Sequence, residues 1–423
     1  MDEDFWNGQE IVQWTPTGQK RWRARIEGTS LVTEAVVGSR KPRETRKELG
    51  NDKAVREELE RAVRKKMLEG YAYFRSPAGA APGERLFAMR PPGGGDSSTF
   101  DVDPEARVVF VGAGRGDPKA WLVRVDLATQ RLEQMNVAPD HPGGQLFIHA
   151  AAVDAEGRTG FYALNNYTRE LDFATGTERV VAGFKGHPET QFNSFCVKPG
   201  ADAAHRRLLV LSPKDVLEVR EIPSGRTLCE ASVTSRTAEC RSAALSPSGR
   251  VLAAYVASRH LIYQHADARG DETNEVLVFN VEDGSLIARV PMPEEVYEVG
   301  VTPDDGAVVV TFERKRGPCA FDINTGKKRF AMSGEDRSLA QCSAWAFSPD
   351  GSTLAVAGGG PEVRLLDART LEPRGILPIG YRRVGRLAFA AGGTQLFVGG
   401  GGLVEAYAVD LSATPVTKRK IAP

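Results

Sequence analysis

The chain lacks an excess of either charge: 55 lysines and arginines stand against 55 aspartates and glutamates in 423 residues. Without a net field, the molecule as a whole favours neither nucleic acid nor an anionic membrane, and only a local patch can take that role. It has no apolar run of the roughly 20 residues that a membrane helix needs. The opening MDEDFWNGQE is acidic and has no apolar core, so it does not read as a secretory signal. Cysteine is scarce: Cys196, Cys229, Cys240, Cys319 and Cys342 are odd in number and scattered. That excludes a disulfide framework and points to free thiols in a reducing cytoplasm.

The signatures of common enzyme sites are missing too. No GxxxxGK[ST] loop, GxSxG elbow or HExxH helix occurs. Gly112–Gly116, GAGRG, follows an apolar stretch as a dinucleotide loop would, but no helix follows it. His260, His265 and Asp267 match no zinc spacing, so no metal is expected. The pairs Asp304-Asp305 and Glu294-Glu295 sit in turn-like stretches, where acids serve conformation. No catalytic residue and no cofactor is expected. An enzyme would need a central site assembled from several repeats, which sequence order hides.

What the chain does have is a repeat. Cys342–Leu377 reads as four short strands, with Ser348-Pro349-Asp350-Gly351 turning between the first and second. So small a sheet cannot bury both faces alone and implies stacked copies. Aligned on the ends of the third strands, the copies finish at Asp126, Asp172, Glu221, Asn280, Asp322, Asp367 and Asp410. Periods near 45 residues with four strands each mean a β-propeller, and seven copies mean seven blades. The fourth copy is the longest, with a polar insertion over residues 257–275. Its His260, Tyr263, His265 and Arg269 are candidate partner contacts, because rim loops differentiate binding surfaces.

The first 75 residues differ. Trp22–Val37 reads as two strands around Gly28-Thr29-Ser30, and Gly38–Lys47 as a polar, basic connection. Lys53–Leu68 carries Val55, Leu59, Ala62, Val63 and Met67 on one helical stripe, with Asn51 or Asp52 to cap it and Gly70 to end it. Trp6, Trp14 and Trp22 are expected in the core. Pro, Ala and Gly in Ser76–Gly83 mark a linker. The division is therefore 1–75, a small α+β unit; 76–98, a linker in which Arg85–Met89 is a candidate ring-closing strand; and 99–423, the propeller. From Arg40 to Lys66 there are eleven Lys or Arg and six Asp or Glu. Arg40, Lys41, Arg43, Arg46 and Lys47 are the candidate nucleic-acid contacts, of a salt-dependent and sequence-blind kind.

The repeats resemble WD repeats, most clearly at Ser348–Gly351 and at Leu366-Asp367, where Trp-Asp usually stands. The run Trp22, Ile26–Leu31, the basic connection, the helix and Glu69–Tyr71 resembles a WGR domain. That module helps some poly(ADP-ribose) polymerases grip DNA ends. Glu34–Gly38 stands where the Trp-Gly-Arg signature would fall, and supplies neither a stacking indole nor a forked guanidinium. The expectation is a mainly β, non-enzymatic scaffold: a seven-bladed WD-like propeller preceded by a WGR-like α+β module. The propeller binds a protein or peptide partner and the module tethers or orients it. Weak nucleic-acid binding is the leading alternative, a channel enzyme the third, and no membrane role is expected.

Overall fold

The computed structural model describes residues 3–15, 18–92, 98–117, 120–137, 146–164, 167–183, 200–202, 204–211, 216–222, 224–233, 238–258, 273–312, 316–332, 342–380 and 384–412. Short strands separated by capped turns fold into a mainly β structure, a β-propeller with six blades that are sheets of their own. Blade one comprises Ser98–Val102, Val108–Ala113, Ala120–Asp126 and Arg131–Val137, and blades three to six repeat this four-stranded plan. Blade two has a fifth strand, Arg115–Asp117, which crosses over from blade one to pair with Leu146–Val153. The GAGRG run therefore leads into a bridging strand.

Stacking explains the patterning. The second strands Val251–Ser258 and Ala307–Phe312 are buried at every position, because a neighbouring blade covers each face. Outermost strands alternate, as Thr227–Ser232 does, because one face meets solvent. A buried side chain caps each first turn. Asp103, Asp154 and Asp202 accept backbone N–H groups at 2.6–2.7 Å, and Ser246, Thr302 and Ser348 do so at 3.0–3.1 Å. The acidic residue ending the third strand caps the next turn. Asp322 Oδ1 accepts from Thr325 N at 2.9 Å, and Asp367 Oδ1 from Thr370 N at 2.9 Å. So the Asp that ends the third strand serves as a turn cap.

These caps predict acid sensitivity. Backbone N–H bonds hold the carboxyls of Asp172, Asp322 and Asp367 below the usual range. A depressed folded pKa gives stability that is present above the unfolded value, about pH 4, and lost as pH falls through the folded one. Thermal scans from neutral pH downward should show Tm falling below about pH 4. The Asp172→Asn, Asp322→Asn, Asp367→Asn triple variant should fall less steeply. Equal slopes would mean that the caps do not set the acid limit.

The seventh set of strands and the N-terminal residues depart from expectation. Val384–Ala390, Gln395–Gly400 and Leu403–Ala408 do not form a sheet of their own, and neither do the strands of residues 3–75. Both belong to one nine-stranded sheet. Its N-terminal strands are β1 (Glu10–Thr15), β2 (Gly18–Glu27), β3 (Ser30–Val37), β4 (Arg43–Glu48), β5 (Ala72–Phe74) and β6 (Arg85–Met89). β6 pairs with Leu403–Ala408 on one side, Met89 opposite Val404, and with β5 on the other, Met89 opposite Ala72. β1, β2, β3 and β4 continue outward from β5. Ser76–Gly83 thus connects two hydrogen-bonded neighbours.

Beside this sheet lie a short helix α1 (Glu3–Trp6) and the long helix α2 (Asp52–Leu68). The Asn51 side chain caps α2 through Ala54 N at 2.9 Å, and Val55, Leu59, Val63 and Met67 are buried. Leu59, Val63 and Met67 share a core with Trp6, Trp22 and Leu31, and also with Ala88 of β6 and Leu403 of the last repeat. Apolar packing therefore runs through the junction without a break.

Two further corrections concern single segments. The basic connection contains β4, a free edge strand whose side chains are all exposed. With neither face buried it shows no apolar alternation, and the charges on it suit an edge that must not aggregate. Trp14 is 38% exposed, whereas Trp6 and Trp22 are buried.

Candidate functional site

The innermost strands of the blades stand side by side, and Val384–Ala390 packs against Ser98–Val102 of blade one. One position on these strands, always nine residues ahead of its cross-strand partner, is occupied by Asp101, Ala152, Gly200, Ala244, Gly300, Ala346 and Ala388. Six of these residues are Ala or Gly, which lets neighbouring blades approach closely. The seventh is a carboxylate.

Asp101 is buried, and its surroundings come from three other parts of the chain. Oδ2 accepts the Val153 N–H of blade two at 3.0 Å. His205, on the first turn of blade three, lies with Nδ1 3.6 Å from the same oxygen and 2.6 Å from the Val153 carbonyl oxygen. A carbonyl only accepts, so Nδ1 carries a proton and donates. Arg386 Nη2, from the last repeat, is 3.8 Å from Oδ1. His205 itself has φ of 52°, an uncommon backbone state for a non-glycine residue. This is the arrangement that a channel enzyme would need. Here, however, the carboxylate and the imidazole are both bonded to the same blade-two peptide edge, which makes them a clasp between blades.

No sequence motif marks this cluster. The available signal was the repeat alignment, in which Asp101 stands where every other copy has Ala or Gly. Burial pushes the Cys342 thiol up to about 12. Among the described residues no group of three His, Cys, Asp or Glu is placed to hold a metal.

The five candidate nucleic-acid contacts do not form one surface. Alternation along β4 puts Arg43 and Lys47 on the α2 side of the sheet and Arg46 on the other. Lys47 Nζ is 2.7 Å from Glu58 of α2. Arg46 Nη2 is 2.5 Å from Glu27, within a lattice that also joins Arg23 to Glu34 and Arg25 to Glu27 and Glu44. Arg40, Lys41 and Arg43 are exposed and form no ion pair among the described residues. His260, Tyr263, His265 and Arg269 lie outside the described residues. No helix among the described residues is long and apolar enough to cross a membrane.

The class that the fold defines is the β-propeller. No protein-family model matches the chain, and no curated protein matches it.

Proposed function

We propose that this chain is an interaction scaffold that presents two surfaces at a fixed mutual angle. The observation that carries this reading is the nine-stranded sheet. A tethered module would hang on a loop, whereas here main-chain hydrogen bonds run from the last repeat through β6 and β5 into the N-terminal strands. In this reading Val384–Ala390, Gln395–Gly400, Leu403–Ala408 and β6 act as a seventh, WD-like blade. It closes the ring by pairing the two ends of the chain and leaves no open edge there. A protein or peptide partner sits on the propeller, and the WGR-like platform orients it, in the reducing cytoplasm that free thiols suit. The Asp101 cluster supports binding over turnover, because its hydrogen bonds are spent between blades.

A second reading, nucleic-acid binding, draws on the exposed and unpaired Arg40, Lys41 and Arg43. Three cations releasing about 0.9 counterion each give a log–log salt slope of about −3 at most, too little for tight binding at physiological salt. Fluorescence anisotropy with nicked and intact duplex DNA across a salt series tests both readings. The scaffold reading expects weak binding at low salt that disappears when Arg40, Lys41 and Arg43 are changed to alanine. A slope steeper than about −5, with a preference for nicks, would replace it with a DNA-end tether.

A further inference from the structure

We infer that the cleft between the β1–β2 hairpin and the outer hairpin of blade one is a binding site for a neutral saccharide. Its volume is about 480 Å3, and Trp14, Thr129, Asp126 and Arg131 line it together with Arg124 and Glu133. A cleft of that size holds a small ligand of one or two sugar rings.

The argument rests on a pair left apart. At the matching hairpins of blades five and six a cation closes on the acid: Arg329 on Asp322 at 2.9 Å and Arg374 on Asp367 at 2.6 Å. Those hairpins carry a register shift just beyond the turn, and their arginine stands seven residues after the acid, the position that Glu133 holds in blade one. Blade one has no such shift. Asp126 stands directly opposite Arg131, yet the two form no ion pair among the described residues. Asp126 Oδ1 accepts Thr129 N at 2.8 Å, and the residue lines the cleft.

The result is an acceptor and a fork of donors lining one cleft with Trp14, the only exposed indole among the described residues. The other two charges, Arg124 and Glu133, neutralise each other at 3.3 Å, so the lining has two positive and two negative groups. A balanced lining does not select phosphate or a polyanion. A hydroxyl both donates and accepts. Vicinal hydroxyls can give a hydrogen to Asp126 and take one from Arg131, while the C–H face of the ring covers Trp14. Only the docking of the N-terminal strands beside blade one brings these groups together, and the inference is independent of the scaffold reading.

Saturation-transfer NMR on the full chain, with maltose, cellobiose and diacetylchitobiose as probes, tests it. Transfer to ring C–H protons of at least one disaccharide at millimolar concentration is expected. Asp126→Asn should weaken that binding about tenfold. Trp14→Ala, at an exposed site, should abolish it with an unchanged circular dichroism spectrum. Absence of transfer from all three probes would overturn the inference. So would transfer that survives Trp14→Ala, or a zwitterionic dipeptide that binds in the cleft where the sugars do not.

Discussion

Replacing Arg85 with alanine should cost about 3–5 kcal/mol of folding stability, because it strands a buried carboxylate at the seam between the N-terminal strands and the last repeat. Arg85 Nε is 2.9 Å from Glu405 Oε1, with side chains only 6% and 2% exposed. Its Nη2 donates to the Tyr407 hydroxyl at 3.2 Å, and that hydroxyl donates to Glu405 Oε2 at 2.8 Å. Burial pushes the Tyr407 phenol well above its ordinary value, so it stays protonated and able to donate. The guanidinium carbon is 3.9 Å from the centre of the Phe5 ring of α1, so the same cation also ties the extreme N-terminus to the seam.

Urea unfolding should give a clear ordering. Arg85→Ala should be worst, since it removes the cation that faces the buried charge of Glu405. Tyr407→Phe should be milder, about 1–3 kcal/mol for one lost donor. An Arg85→Met, Glu405→Leu double variant should recover most of the loss, because an apolar pair of similar volume carries no desolvation penalty. A loss below about 1 kcal/mol for Arg85→Ala would mean that the seam is held by its backbone ladder and apolar core alone.

Gly300→Ala should destabilise the ring by about 1–3 kcal/mol, despite adding only one methyl group. Five other repeats carry a Cβ at this position, where Asp101, Ala152, Ala244, Ala346 and Ala388 stand. At Gly300, however, the Cβ would land in the indole of Trp345 from the next blade. That ring is rigid and is held against Phe347 with centroids 5.8 Å apart, so it cannot swing aside at low cost. Trp345→Leu should therefore mask the glycine substitution: the double variant should be no worse than Trp345→Leu alone. Additive losses would show that Gly300 is required by backbone conformation and not by its neighbour. Gly399 has the same relation to Phe100 across the junction of last repeat and first blade, where a Cβ would lie 2.7 Å from the ring.

The sequence by itself determined what is local and repeated. Turn residues every 45 or so positions, and apolar runs long enough for one strand, specify four-stranded sheets, because turn chemistry and strand length act within a few residues. The α2 stripe and its Asn51 cap are legible for the same reason. Arg85–Met89 is legible as a candidate closing strand and pairs with the last repeat, but only tertiary structure decided that β5 and the strands beyond it pair on its other side. That β6 lies between the last repeat and β5 depends on pairing across more than 300 residues, as the contact of Arg85 with Glu405 shows. β4 was hidden because an edge strand with both faces exposed has no period to read. Asp101 and His205 acquire meaning only when blades one, two and three stand together, and Trp14, Asp126 and Arg131 only when the N-terminal strands lie beside blade one. Neither cluster has a spacing along the chain, so packing alone assembles it.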